Sequence, residues 1–289
     1  MTPGTLPKAV RDWLAAQGYT LAGVQPVAGG DINQAWRVST AQGPSFFLKT
    51  HPQPPPFMFA REAEGLQALR VPSGPVVPEP YLWGDDFLLM EDLRPAPRRP
   101  DYWPDFGRRL ARVHAHTAPR FGFPHDNYIG LTPQPNPWTA DGYEFFARQR
   151  LMYQANLAHR RGLLSAADRA RVERLAARLK DWIPPQPASL LHGDLWSGNA
   201  LTDAAGRPAI VDPAAYYGWA EADLAMTALF GAFPRAFYDA YEEVRPLAPG
   251  YRERFPLYNL YHLLNHLNLF GTAYLGSVRA VLDRFVGPA

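Results

Sequence analysis

Apolar positions recur along this chain with two different periods, and the change from one to the other divides it. Near the start Val10, Trp13 and Leu14 fall three and four apart, which predicts a helix over residues 7–18 with Gly18 as its stop. Short runs rich in β-branched and aromatic residues follow. They predict strands at 24–27, 34–39 and 46–49, with a hairpin turn at Gln42-Gly43-Pro44. Helical spacing returns over 59–69, where Leu66 and Leu69 mark the buried face. A second hairpin, 81–83 and 87–90, closes around Gly84-Asp85-Asp86. A proline-rich tract at 94–104 punctuates the chain. Beyond it helical periods dominate, at 104–115, 142–161, 165–182, 221–230, 234–244 and 256–274. Ser165 reads as the cap of the third of these, with Asp168 in the capping-box place. Residues 121–138 read as a long irregular loop, a kind of segment usually kept for function. The pattern predicts an α+β chain in two lobes. Residues 1–92 would form a small antiparallel sheet with one main helix, and 93–289 a larger, mostly helical lobe.

The candidate chemistry lies at one place in that second half. The apolar pair Leu190-Leu191 leads into His192-Gly193-Asp194, Asn199 stands five positions after Asp194, and a short apolar run ends at Asp212-Pro213. Either piece alone is explained by a turn or a strand end. Together they reproduce the order in which kinases place a proton-accepting Asp, then an Asn and a second Asp that hold magnesium. Asp194 is then the candidate base, and Asn199 and Asp212 are the candidate metal ligands.

The first half offers a partner set. Gly29-Gly30 stands in a turn between two strands, with Asp31, Ile32 and Asn33 after it, and glycines there let backbone N–H groups approach phosphates. A glycine pair by itself is only a hairpin signal. Lys49 at the end of the third strand strengthens it, because kinases hold nucleotide phosphates with such a lysine, paired with a Glu on the next helix. Glu62 shares the buried face of the 59–69 helix more nearly than Glu64 does, and an inward carboxylate needs a partner. Met90, Glu91, Asp92 and Leu93 end an apolar strand at the lobe boundary, where a hinge backbone would read the adenine edge.

Composition narrows the classes. The chain has 289 residues, 47% of them hydrophobic and 19% charged, with a net charge of +2, which argues against a polyanion binder. There is no cysteine, which removes disulfides, thiolate metal sites and a cysteine nucleophile. No stretch is long and apolar enough to suggest a membrane span, so a soluble, cytoplasmic protein is expected. His262 and His266 have the spacing of a zinc helix but lack the intervening Glu, so they read as packing or substrate-lining residues. The longer glycine loop of protein-Ser/Thr kinases and an Ala-Pro-Glu motif are also missing, which favours small-molecule phosphotransfer.

These residues bear a resemblance to a known family. Leu191-His192-Gly193-Asp194-Leu195-Trp196-Ser197-Gly198-Asn199, Asp212-Pro213-Ala214 with Tyr217-Gly218, residues 221–226, Asp126-Asn127 and residues 132–136 resemble the fructosamine kinases, or ketosamine-3-kinases, over nearly the whole chain. Aminoglycoside and choline kinases are similar in the Asp and Asn but not in the Leu-Trp-Ser. The resemblance implies a protein-kinase-like fold and transfer of phosphate from ATP, with Mg2+, to the sugar O3 of ketosamines, small or protein-borne, after which the adduct breaks down and frees the amine. It implies Asp194 as base, Asn199 and Asp212 on magnesium, Lys49 with Glu62 on the phosphates, and residues 90–93 as hinge. Some members carry a Cys in the glycine turn that can crosslink two chains. Here that place is Asp31, so a monomer or non-covalent dimer is expected.

The acceptor must lie over Asp194, so His192, Trp196, Tyr217, Trp219 and Asn136 are candidate substrate contacts. Trp219 leads them because the preceding Gly218 suggests an exposed turn. No nucleic-acid partner is expected. An aminoglycoside- or choline-type kinase and a non-catalytic nucleotide-binding module remain alternatives.

Overall fold

The structure, a computed structural model, describes residues 6–28 and 32–288. Helix α1 (Lys8–Ala16) is followed by strands β1 (Leu21–Val27), β2 (Gln34–Thr40) and β3 (Ser45–Thr50), helix α2 (Met58–Leu69), and strands β4 (Pro80–Trp83) and β5 (Phe87–Glu91). The five strands form one antiparallel sheet in the order β1-β2-β3-β5-β4. Side chains alternate across it, and the alternation sorts the two faces. Phe46, Leu48, Phe87 and Leu89 bury against Val10 and Leu14 of α1. Phe47, Leu88 and Met90 face the other way, into the core that holds Phe59, Ala63 and Leu66 of α2. Lys49 falls on that second face, two residues from Phe47, so its register points it at α2. The end of β5 is tied to the sheet by Asp92, which accepts from Arg37 Nε at 2.6 Å and Ser45 Oγ at 2.7 Å.

The rest is mostly helical. Helix α3 (Tyr102–His114) precedes β6 (Thr117–Ala118). The 121–138 stretch, expected to be irregular, contains a small hairpin of β7 (Asn127–Ile129) and β8 (Thr132–Gln134). Each strand has only three residues, too few to show a period. Helix α4 (Gly142–Phe145) runs through a π-helical stretch (Phe146–Met152) into α5 (Tyr153–Arg160), followed by α6 (Ala166–Ala176). The Ser165 hydroxyl accepts from the Asp168 N–H at 3.0 Å and caps α6 as expected. Strands β9 (Ala188–Leu191), β10 (Ala200–Thr202), β11 (Pro208–Ile210) and β12 (Tyr216–Gly218) carry the candidate motif. Helices α7 (Ala220–Met226), α8 (Arg235–Val244), α9 (Tyr251–Phe270) and α10 (Leu275–Val286) complete the chain. Helix α9 starts before Pro256, which sits inside it, and α10 was not anticipated. With Leu257, Leu260, Leu263, Leu264 and Leu267 all buried, α9 is a core helix with little amphipathic contrast to read.

Helices α3 and α8 cross where Gly107 meets Phe237. A Cβ on Gly107 would lie 2.1 Å from the Phe237 carbonyl oxygen, so only glycine permits this approach. Gly107→Ala should therefore cost about 1–3 kcal/mol by overpacking and lower the melting temperature by several degrees. An unchanged circular-dichroism melt would mean that the crossing yields freely.

Candidate active site

The buried strand β9 delivers Leu190 and Leu191 to the core and stops at His192. The turn that follows is held by one carboxylate. Asp223 on α7 accepts the His192 N–H at 2.7 Å with Oδ2 and the Gly193 N–H at 2.8 Å with Oδ1. Gly193 is essential to that turn: its φ is +83°, and a Cβ there would lie 2.0 Å from the Ala214 carbonyl oxygen. Behind Asp223, His114 Nε2 lies 3.2 Å away and His114 Nδ1 is 2.8 Å from the Tyr241 hydroxyl. Burial holds His114 below its ordinary value, so it donates Nε2–H as a neutral ring. Burial alone would raise the Asp223 carboxyl, but its hydrogen bond from His114 and its turn N–H donors hold it below the usual range.

The turn places Asp194 at the mouth of the site, with 23% of its side chain exposed. Burial, and then the nearby carboxylates of Asp212 and Asp223, push its carboxyl up to about 7. Asn199 follows in a single 3-10 turn (Ser197–Asn199), and its Nδ2 donates to the Asp194 carbonyl at 2.8 Å. Antiparallel β10 and β11 then return the chain to Asp212. Asp212 has φ +57°, a left-handed conformation at a residue before proline, which is sparsely populated and marks a functional position.

Asp212 Oδ1 is ion-paired with Lys49 Nζ, and the same ammonium is paired with Glu62 Oε1. Burial acts to lower the Lys49 pKa, but Asp212 and Glu62 more than offset it and hold the amine protonated. Helix α2 approaches the Asp212 segment through Gly65, where a Cβ would lie 3.3 Å from Pro213. Lys49, Glu62, Asp194, Asn199 and Asp212 thus meet in one place although they are spread over 163 positions of sequence. At the candidate hinge the Glu91 N–H donates to the Glu79 carbonyl. Among the described residues, the backbone groups of Asp92 and Leu93 have no partner. Gly29, Gly30 and Asp31 lie outside the described residues. Ile32 and Asn33 flank them, and the buried Asn33 Oδ1 has no partner among the described residues.

The substrate candidates divide. Trp196 is 37% exposed, and its indole lies over Gly198, where a Cβ would fall 2.3 Å from the ring. Tyr217 is half-buried between Phe123 and Trp138. Trp219 is a correction: it is 3% exposed and packs on Phe121, Tyr143, Phe146 and Tyr258. Gly218 does not open a turn there. It makes room for neighbours, since a Cβ would lie 2.4 Å from the Tyr216 ring and 2.8 Å from Leu191. His192 is a second correction. It is fully buried, donates Nε2–H to the Val211 carbonyl at 2.9 Å and accepts the Asp194 N–H at Nδ1, so it shapes the turn instead of facing a substrate. Asn136 is a third, buried between Arg150, Asn127 and the His125 carbonyl. That cluster continues through Gln134 and Asn127 to the carbonyls of Ala214 and Ala215, and so fixes the chain after Asp212.

One group faces the site that sequence reasoning left only as packing or lining. His262 on α9 is 4% exposed, and its Nδ1 stands 4.0 Å from Asp194 Oδ1 with no hydrogen-bond partner among the described residues. Burial, and then His266, lower its pKa to about 3, so it is neutral. Asp223 was likewise unassigned. An Asp and a Glu inside the apolar run of α7 were the available signal, since buried carboxylates demand partners.

A family model described as fructosamine kinase matches residues 8–287. A Synechocystis sp. protein named as a probable ketoamine kinase is 42% identical over 273 residues, 93% of this chain and 92% of its own. A chloroplastic protein-ribulosamine 3-kinase of Oryza sativa subsp. indica is 39% identical over 289 residues, 96% of this chain and 83% of its own. The crystal structure of a Thermobifida fusca protein assigned as a fructosamine-3-kinase superposes with a TM-score of 0.88 at 36% identity, over 96% of this chain and 97% of that one. A Streptococcus pneumoniae choline kinase shares the fold alone, with a TM-score of 0.63 at 14% identity over 96% of both chains. The fold is thus the protein-kinase-like one, as expected.

Asp223→Asn tests the clamp. The amide offers one acceptor where the turn presents two N–H donors, so one buried donor is left facing an NH2 group. Stability should fall by about 1–3 kcal/mol, and turnover should fall with it by at least about tenfold as Asp194 loses its place. A variant with unchanged melting and turnover would remove Asp223 from this role.

Proposed function

The chain belongs to the fructosamine kinase family and is an ATP-dependent phosphotransferase, and on that premise we propose that it phosphorylates the sugar O3 of ketosamines. The observation that carries this reading is the meeting of Lys49, Glu62 and Asp212 beside the Asp194–Asn199 pair. Asp194 is the base that accepts the proton of the acceptor hydroxyl. A carboxyl raised toward neutrality holds that proton better than an ordinary Asp. Lys49, oriented by Glu62, holds the nucleotide phosphates. The Asp92 and Leu93 backbone groups read the adenine edge. The Asp92 side chain is spent on Arg37 and Ser45 and takes no part.

The residues present fit a magnesium ion. Asp212 has a carboxylate 45% exposed, and Asn199 uses its Nδ2 on Asp194, which leaves the amide oxygen for a cation. Hard cations prefer such oxygen ligands, and magnesium needs only one or two carboxylates besides phosphates and water. That suits a site where no group of three or more His, Cys, Asp or Glu able to hold a metal ion forms among the described residues. When bound, magnesium would neutralise the phosphate charge that develops in transfer.

His262 completes the acceptor side. An oxygen placed between groups 4.0 Å apart can reach both at hydrogen-bond distance, so one hydroxyl can accept from His262 Nδ1–H and donate to Asp194 Oδ1. In this reading residues 1–92 are the nucleotide lobe and 93–289 the acceptor lobe. Phosphorylation of the ketosamine leads to its breakdown and frees the amine, a deglycation step. The names of the plant and bacterial relatives support ketosamines over an aminoglycoside or choline.

The deciding experiment is ATP consumption against ribulose-lysine, fructose-lysine, kanamycin and choline. Turnover confined to kanamycin or choline would sink the reading. Asp194→Asn keeps the shape but cannot take the proton, and should lower turnover by about 100-fold or more with ATP affinity nearly unchanged. A parent-like kcat would remove Asp194 as base. Asp212→Ala should abolish most of the magnesium dependence of nucleotide binding, and an identical metal titration would show that Asp212 is not a ligand.

A further inference from the structure

The β7–β8 hairpin is held on two sides. Its strands pair Asn127 with Gln134 and Tyr128 with Pro133, so the alternation along a strand sends Asn127 and Gln134 inward and Tyr128 and Pro133 outward. On the inner side Gln134 Nε2 donates to the Ala214 carbonyl at 3.0 Å, and Asn127 Nδ2 donates to the Ala215 carbonyl at 2.8 Å. Ala214 and Ala215 follow Asp212-Pro213 directly in the chain. The two amides are locked in turn: Gln134 Nε2 also donates to Asn127 Oδ1 at 2.7 Å, and Gln134 Oε1 accepts from the Tyr261 hydroxyl at 2.6 Å. On the outer side the Tyr128 hydroxyl donates to the Pro56 carbonyl at 3.0 Å. His125, just before the hairpin, places its Nδ1 2.9 Å from Glu64 Oε1. At the tip, a Cβ on Gly130 would lie 3.2 Å from Ile32, the first described residue after the glycine turn, and 2.9 Å from Leu269.

The outer contacts fall on the helix that carries the partner of Lys49. Glu62 and Glu64 are two residues apart on α2, about 200° around its axis, so they point to opposite sides. Glu62 pairs with Lys49, and Glu64 meets His125. The roll of α2 is thereby fixed from both sides. Its start is fixed as well. Phe57, the N-cap of α2, has φ +61°, a costly conformation for a bulky side chain, and the Tyr128 hydroxyl holds the carbonyl just before it. The hairpin thus grips α2 with one face and the segment after Asp212 with the other, and the Lys49 ammonium is paired to a carboxylate on each. A nucleotide's phosphates and their metal must enter between those groups, so a spacer of fixed width preorganises the gap. We propose that the hairpin is that spacer, with His125 and Tyr128 as positioning residues for Glu62 and Lys49, and Asn127 and Gln134 as positioning residues for Asp212. The assignment rests on the reading of Lys49 and Asp212 as the groups that hold nucleotide and magnesium.

The test is the dissociation constant of ATP with magnesium, measured by titration calorimetry with no acceptor present. Tyr128→Phe combined with His125→Ala removes both outer hydrogen bonds at the surface. This outer variant should bind nucleotide about five- to tenfold more weakly, as expected for one or two hydrogen bonds, while its melting temperature stays within about two degrees of the parent. Gln134→Met keeps the length of the side chain, removes the inner bond and should weaken binding to a similar extent. The two faces act in series, so all three substitutions together should weaken binding no further than the worse of the two sets alone, whereas independent supports would multiply. An unchanged constant in the outer variant overturns the spacer, and that arm stands by itself if Gln134→Met does not fold. A fully multiplied loss in the combination overturns it too. Lys49→Met tells this failure from failure of the underlying reading: if it leaves nucleotide binding unchanged, both fall, and if it weakens binding where the outer variant does not, only the spacer falls.

Discussion

A single buried ammonium holds three segments of this chain together. Lys49 Nζ is paired with Glu62 on α2 and with Asp212 after β11, so sheet, helix and the Asp212 loop share one charge. The Lys49 and Glu62 side chains are 7% and 11% exposed, and burying such groups costs several kcal/mol each unless the pairing is close. Such a pair is therefore weak evidence for stability. Its effect is on arrangement: without Lys49 the Glu62 and Asp212 carboxylates would face each other with no counter-charge, close to where Gly65 of α2 meets Pro213.

The His192-Gly193-Asp194 turn relies on a second charge used in the same way. Asp223 receives two backbone N–H groups and a neutral histidine, which orders the His192-Gly193-Asp194 backbone without occupying the Asp194 carboxylate. Burial and two neighbouring carboxylates raise the Asp194 carboxyl, although an edge of its side chain stays open to the site. The turn is preorganised by groups that do not react, and the group proposed to react is left poised. The Arg150–Asn136–Asn127–Gln134 network does the same for the chain after Asp212. It brings a π-helical stretch to bear on the site, and such stretches often mark function.

Much was legible from local pattern. The short apolar runs of β3 and β5, the helical spacing of α2 and α3, and the Ser165 cap all depend on residues within a few positions of one another. The order of Asp194, Asn199 and Asp212 was legible for a related reason. A hairpin of two three-residue strands is enough to bring Asn199 and Asp212 near each other, so their spacing already encodes their proximity.

Tertiary packing alone decided the rest. Gly218 before Trp219 suggested an exposed turn, yet the glycine is there because Tyr216 and Leu191 crowd it, and the indole is core. Asn136 and His192 looked like polar groups free for a substrate, but each is consumed by buried partners 9 to 19 positions away. His262 read as one polar residue on an apolar helix, and only the placement of α9 against the Asp194 turn leaves its Nδ1 facing Asp194. Glycine, asparagine and histidine each serve several physical ends. Which end is served depends on neighbours distant in sequence, and those neighbours are chosen by how the buried helices and sheet close on one another.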